Sequence, residues 1–289
     1  ANFFVEQHCS NDGEYAAFEL DDACPVAHWD METLTASGDV ADLIEDVDLA
    51  IYGAPTAGVA GVSGNTYAIN NCSDFFLSDD AYPASLVGSG PKSISAWAYL
   101  GSKGGDGDGQ QPLVSFGGGG DVCNGTAFAV NYTTEGAGED SPMLGTCSRD
   151  LRTSGPYWYP ENWYHIVGTY DGDTLRLYSN GVEIGSKPES ISTSTTFNKV
   201  GVGVDTWWSG GSHWLCDGRV DEVKLYDYAL ADDQVQDLYD LHAGAIEACD
   251  RDGDIDCPGR SCLDILDNGF SRGSGEYWLD PNGSGPFLA

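Results

Sequence analysis

Apolar and polar residues alternate along several stretches of the chain, and the alternation predicts strands. Ser93-Ile-Ser-Ala-Trp-Ala-Tyr-Leu100 puts Ile94, Ala96, Ala98 and Leu100 on one face. Trp163–Tyr170 is aromatic and β-branched, Lys199–Val204 alternates valine with glycine, and Arg219–Tyr226 reads as a further strand. Thr174–Ser179 and Val182–Ile184 flank Asn180-Gly181, whose residues suit the two positive-φ positions of a type I′ hairpin turn. Strands at this density, separated by Gly-rich turns, predict an all-β antiparallel sandwich. Helical spacing occurs at two places. Leu230, Val235, Leu238 and Leu241 form a stripe over 231–241, with Asp232 and Asp233 at the start where the helix dipole favours anions. Val40, Leu43, Ile44 and Val47 have the same spacing.

Charge narrows the partners. The 289 residues carry 46 acids and 12 bases, a formal net charge of −34. Nucleic-acid binding rests on Lys and Arg neutralising phosphates, so this balance argues against it, and equally against docking on an anionic membrane. Residues 1–91 contain no Lys or Arg, Lys92 being the first base. Such a polyanion repels its own copies unless cations intervene. With 41% hydrophobic residues the chain can still bury a core. No apolar run approaches the ~20 residues that span a bilayer, and no basic n-region precedes Ala1, which reads as a mature end after signal cleavage.

Nine cysteines include no CxxC pair, so disulfides in an oxidising compartment are expected rather than a zinc site. Proximity suggests pairing Cys9 with Cys24 and Cys123 with Cys147. N-glycosylation triplets begin at Asn71, Asn124, Asn131 and Asn282. Together these features predict a secreted, extracellular glycoprotein.

Trp163-Tyr-His-Ile-Val-Gly-Thr-Tyr-Asp-Gly172, then Leu175-Arg-Leu-Tyr178 and Asn180-Gly181, resemble the laminin-G-like, concanavalin-A-like jelly-roll family. Gly61-Val-Ser-Gly64, Asp74–Leu77, Ser93–Trp97, Gly218–Tyr226 and a closing helix at Ala229–Tyr239 appear in family order across about 24–242, with Ala231 where a capping Ser is usual. The resemblance implies a jelly roll over 24–244, between an acidic arm at 1–23 and a tail at 245–289. In the tail, Ser261–Leu266, Ser274–Gly283 and Pro286-Phe287 resemble the opening of a fibrinogen-like C-terminal domain. In that family the cysteine equivalent to Cys262 pairs with one lying just past the position of Ala289. The resemblance would then account for the odd ninth cysteine; the alternative is that Cys262 pairs differently.

Cys249-Asp-Arg-Asp-Gly-Asp-Ile-Asp-Cys257 sets acids at Asp250, Asp252, Asp254 and Asp256, which can converge on one calcium ion. The spacing resembles thrombospondin type 3 repeats; the alternative is a solvated acidic linker. Family resemblance adds a rim calcium site joining Asp221 to a carboxylate near the first strand such as Asp30, against a capping role for both. Trp207, Trp208 and Trp214 can stack on sugar rings or cover the end of the core, whereas alternation sends Trp97 and Trp163 into the core and gives His165 a packing role. Related hydrolases carry Glu-x-Asp-x-(x)-Glu on one strand. Here the nearest candidate is Asp221-Glu222, whose side chains in a regular strand point to opposite faces. Ala1-Asn-Phe-Phe-Val5 and Pro286-Phe-Leu-Ala289 are apolar ends, and Phe3, Phe4, Val5, Phe287 and Leu288 could add to a neighbour's sheet edge or pack back on their own domain. The expectation is a non-enzymatic structural or adhesion glycoprotein, calcium-stabilised and self-associating or binding other extracellular proteins. A glycan-binding lectin is the alternative, and a glycoside hydrolase is disfavoured.

Overall fold

The computed structural model describes residues 24–101, 109–118, 125–133, 141–155, 158, 160–194, 196–206, 213–246, 278–279 and 287–288. The chain divides into two compact units, Ala1–Asp240 and Leu241–Ala289. In the first, the strands are β1 (Ala27–Trp29), β2 (Leu49–Tyr52), β3 (Thr56–Ala60), β4 (Asn65–Ile69), β5 (Phe75–Ser78), β6 (Lys92–Leu100), β7 (Gln110–Gly117) and β8 (Ala127–Thr133). They continue with β9 (Ser141–Gly145), β10 (Leu151–Arg152), β11 (Trp163–Tyr170), β12 (Thr174–Ser179), β13 (Val182–Pro188), β14 (Val200–Val202) and β15 (Gly218–Tyr226), before helix α1 (Asp232–Ile246). In the second unit β16 (Trp278–Leu279) pairs antiparallel with β17 (Phe287–Leu288).

Two antiparallel sheets form the sandwich. The front sheet runs β13-β12-β11-β6-β15-β4-β3, with β1 also paired to β15, and the back sheet runs β10-β9-β8-β7-β14-β5-β2. Alternation places Ile94, Ala96, Ala98 and Leu100 of β6 in the shared core with Val130, Tyr132, Leu175 and Leu225. The opposite face of β6 is buried too, because α1 lies over it. Val235 and Leu238 pack on Val167, Tyr178 and Tyr226, and Trp97 stacks on Tyr239 with ring centroids 5.6 Å apart. His165 is buried there, its Nε2 2.9 Å from Ser95 Oγ. Trp97 is therefore hidden under the helix rather than in the central core, and Trp163 stays half-buried beside Tyr99.

The hairpin turn forms as its residues dictate, with positive φ at both Asn180 and Gly181. Ala231 brings no capping hydroxyl to α1. Half of a capping box survives, since Gln234 Oε1 accepts the Ala231 N–H at 2.9 Å. The spacing at 40–47 does not give a helix. Val40 exchanges both backbone hydrogen bonds with Leu49, and the Asp42 carboxylate accepts the Ile44 N–H, so local side-chain bonding replaces a helical ladder. Cys72 is bonded to Cys216 across 144 residues, a pairing that neighbour spacing did not suggest. Cys24 and Cys147 are each disulfide-bonded, while Cys9 and Cys123 lie outside the described residues. Among the described residues no helix is long and apolar enough to cross a membrane.

Candidate functional site

The chemistry concentrates where β15 changes partners. Its residues Gly218–Val220 pair with β4, and Val223–Leu225 pair with β1. Between them the register with β6 shifts, and Glu222 takes a left-handed φ of 48°. Strict alternation of side chains therefore fails at 221–222. The Gly61-Val-Ser-Gly64 turn between β3 and β4 reaches into this junction. Asp221 Oδ2 accepts the N–H groups of Val62 at 2.8 Å and Ser63 at 3.2 Å, and Oδ1 accepts that of Glu222 at 3.0 Å. A Cβ at Gly61 would overlap Asp221 Oδ2, so only glycine lets the turn approach so closely. Burial pushes the Asp221 carboxyl up to about 7; the Ser63 N–H opposes this and the Glu222 charge adds to it. Glu222 Oε2 lies 3.0 Å from His28 Nε2 and 2.8 Å from Lys224 Nζ. Both carboxylates brace loops and strands.

The same use of acids recurs. Asp30 accepts the N–H groups of Glu32 and Thr33 and the Thr33 hydroxyl, closing its own turn. Asp74 holds Ala54 N, Asn70 N and Asn71 Nδ2, and Asp42 holds His28 N and Ile44 N. Among the described residues no group of three or more His, Cys, Asp or Glu side chains could hold a metal ion, so Asp30 and Asp221 are not joined into such a cluster. Asp250, Asp252, Asp254 and Asp256 lie outside the described residues.

The aromatic candidates separate. Trp207 and Trp208 lie outside the described residues. Trp214 is half-buried and bridges to Val204, next to a buried Asp205–His213 pair with Oδ2 and Nδ1 2.5 Å apart. Ser115 Oγ donates to Val204 O, which fastens this segment over the back sheet. Asn131 sits in β8, 1% exposed, facing away from the core residues Val130 and Tyr132, and its Oδ1 has no hydrogen-bond partner. Asn71 is exposed, its amide donating to Asp74 and its oxygen accepting Ser73 N. Asn124 and Asn282 lie outside the described residues, as do Phe3, Phe4 and Val5. Phe287 and Leu288 form β17 opposite Leu279 and Trp278.

One buried charge had no sequence signal beyond being the first base of the chain. Lys92 is fully buried, and its Nζ donates to Leu86 O, Gly88 O and Thr193 Oγ1 at 2.7–3.1 Å. Burial lowers its pKa to about 8. A serine-rich amphipathic strand would not have identified it: the carbonyls of Leu86 and Gly88 are close in sequence, but Thr193, which completes the set of acceptors, is 101 residues away.

The model of the family Laminin_G_3, described as the concanavalin A-like lectin/glucanases superfamily, matches residues 79–236, more than half of the chain. The chain belongs to Laminin_G_3. No curated protein sequence matches it. Among solved structures, this Laminin_G_3 chain resembles domain 4 of AbnA, a GH43 extracellular arabinanase from Geobacillus stearothermophilus in complex with arabinotriose. The identity is 19% and the TM-score 0.56, covering 76% of this chain and all of that one. It also resembles the binding domain of Paraclostridial Mosquitocidal Protein 1 (17% identity, TM-score 0.54, 75% of this chain and 51% of that one). The Botulinum neurotoxin serotype G binding domain is similar at 11% identity and TM-score 0.53, over 82% of this chain and 54% of that one. The chain thus spans about half of each toxin chain. At these identities the likeness shows a shared fold.

Proposed function

We propose that this Laminin_G_3 chain is a secreted, non-catalytic structural or adhesion glycoprotein that self-associates through its apolar ends, with calcium at Asp250–Asp256 stiffening the acidic tail. The observation that carries the non-catalytic reading is the engagement of Asp221 and Glu222. A glycosidase needs two carboxylates facing a substrate about 5–9.5 Å apart, whereas here one holds three backbone N–H groups and the other contacts the side chains of His28 and Lys224. The Cys72–Cys216 disulfide supports an oxidising compartment. Electron microscopy of secreted material with and without EDTA tests assembly: calcium-dependent fibres support it, and dispersed particles in calcium count against it. Polysaccharide hydrolysis that disappears in a folded Asp221→Asn variant would overturn the non-catalytic reading.

Glycan binding is the second reading. It is favoured by fold relatives solved in complex with arabinotriose and with N-acetylneuraminic acid. A glycan array separates the two: saturable binding lost in Trp207→Ala or Trp208→Ala, together with monomeric particles, would reverse the order.

A further inference from the structure

One long stretch of this polyanion carries no charge. Between Asp48 and Asp74 there is no Asp, Glu, Lys, Arg or His, and β3 lies in its middle. β3 is the outermost strand of the front sheet, with Thr56, Ala57, Gly58 and Ala60 exposed and Val59 half-buried. An edge strand turns one row of backbone N–H and C=O groups away from its single neighbour, and proteins usually guard such a row with charge. Here the nearest cation, Arg219, reaches only the far end, donating to Ala60 O at 3.0 Å. Beside the bulge at Gly58 is an open cavity of about 220 Å³, lined by Met31, Glu32, Leu34, Ala57, Gly58 and Tyr67 among others. Leu34, on its wall, is 48% exposed. A cavity of about 150 Å³ holds a benzene ring, so this one takes a phenylalanine side chain.

We infer that the β3 edge receives the segment Ala1-Asn-Phe-Phe-Val5 of a second copy as an added strand, with one of its phenylalanine rings in the cavity. The inference rests on the assembly reading above and adds the surface that receives the strand. Strand addition combines backbone hydrogen bonds with a side-chain pocket, and this edge offers both. Electrostatics favours the pair of surfaces: copies each carrying −34 meet at least cost where a segment without charged side chains lies along a strand without charged side chains. Residues 6–23, between that segment and the domain, carry acids and no Lys or Arg. Donor and acceptor are different surfaces, so the contact is heterologous and propagates as an open chain.

Two full-length variants test it. Ala57→Lys charges the edge and fills the cavity while keeping the donor; Phe3→Asp with Phe4→Asp disables the donor while keeping the edge. Sedimentation velocity should show a concentration-dependent series for the wild type and monomers for each variant alone. An equimolar mixture of the two should give species of twice the monomer mass that grow no further. Val182→Lys, on the opposite edge of the same sheet, should leave the wild-type series unchanged. Near-UV circular dichroism checks folding, and Ala60→Lys replaces Ala57→Lys if that variant does not fold. Monomers in the mixture, or assembly by either variant alone, overturn this surface while leaving the assembly reading standing. A monomeric wild type at every concentration, with and without calcium, overturns both.

Discussion

The two edges of the front sheet are built on opposite plans. β13 is charged and tied down. Arg176 of β12 bonds Asp171 at 2.6 Å and lies 3.9 Å from Glu183, while Lys187 meets Glu189 at 3.0 Å. Lys187 and Ser190 together with Arg149 hold the Glu189 carboxyl down at about 2. The back sheet also closes over this edge: Lys187 Nζ reaches the carbonyls of Arg149 and Asp150, and a Cβ at Gly185 would lie 3.1 Å from Thr153. β3 has none of this. Its neighbourhood is secured from behind, by the Cys72–Cys216 disulfide and by Asp221 gripping the turn at Val62 and Ser63. One edge is protected on its outside, the other anchored on its inside and left open.

The largest break in this contrast should come from the disulfide. Cys72→Ser with Cys216→Ser frees a loop of 144 residues, and loop closure at that length contributes about 5 kcal/mol in the chain-entropy model. Urea unfolding should register a loss of that order. Hydrogen exchange should quicken in β3 and β4 while β12 and β13 stay protected. Next in size is the pH response of Asp221. Its folded pKa of about 7 lies above the unfolded 3.8, so the folded state holds the extra proton between these values. Stability from this group is complete below pH 4 and is lost as pH rises through 7. Three units at ~1.4 kcal/mol each set the size at about 4 kcal/mol. Urea midpoints for the wild type and Asp221→Asn, followed from pH 4 to pH 8, should therefore diverge against the wild type. Parallel curves would show that Asp221 is ionised throughout.

Much of this frame was legible in the sequence, for local reasons. β6, β11, β12 and β15 announce themselves through alternation, and Asn180-Gly181 through the one turn those residues suit. The back sheet was less visible, because β8 and β9 are buried on both faces and show no alternation. For Asp30 and Asp221 the sequence leaves calcium binding and capping both open, since charge alone does not say what a carboxylate touches. Both accept backbone N–H groups, a role set by loops that end nearby in space. For Asp30 the short-range turn was within reach of sequence reasoning; for Asp221 the donors are 158 and 159 residues away. Thr193, beside Lys92, and Cys216, bonded to Cys72, were hidden for the same reason, at 101 and 144 residues away.

Two glycines then sharpen the contrast within the β3–β4 hairpin. Gly61→Ala meets a filled space, with its Cβ 2.8 Å from Ser63 O and overlapping Asp221 Oδ2. Overpacking of this kind should cost about 1–3 kcal/mol. Gly58→Ala meets no atom within 4 Å but inherits a φ of +73°, and the left-handed backbone alone should cost about 1 kcal/mol. Thermal melts should rank the two in that order. Equal losses would mean that the anchored side of the hairpin is no tighter than the open one.

The smallest effect belongs to the guarded edge. Arg176→Ala removes the bond to Asp171 and the longer contact to Glu183, but Arg176 and both acids are about a third exposed. Exposed pairs contribute about 0.2–1 kcal/mol and weaken with salt. The expected loss in a melt is therefore near the lower end of that range and should vanish at high salt. The charges on β13 matter for what they keep away more than for what they hold together. A double variant, Glu183→Ala with Lys187→Ala, should leave stability nearly unchanged yet make β13 resemble β3, an edge without charge. If the contrast between the edges rests on charge, that variant acquires a new concentration-dependent association in sedimentation velocity, and restoring Lys187 alone removes it. If it stays unchanged, the covering turn at Arg149–Asp150 is what closes β13, and charge is secondary to contact.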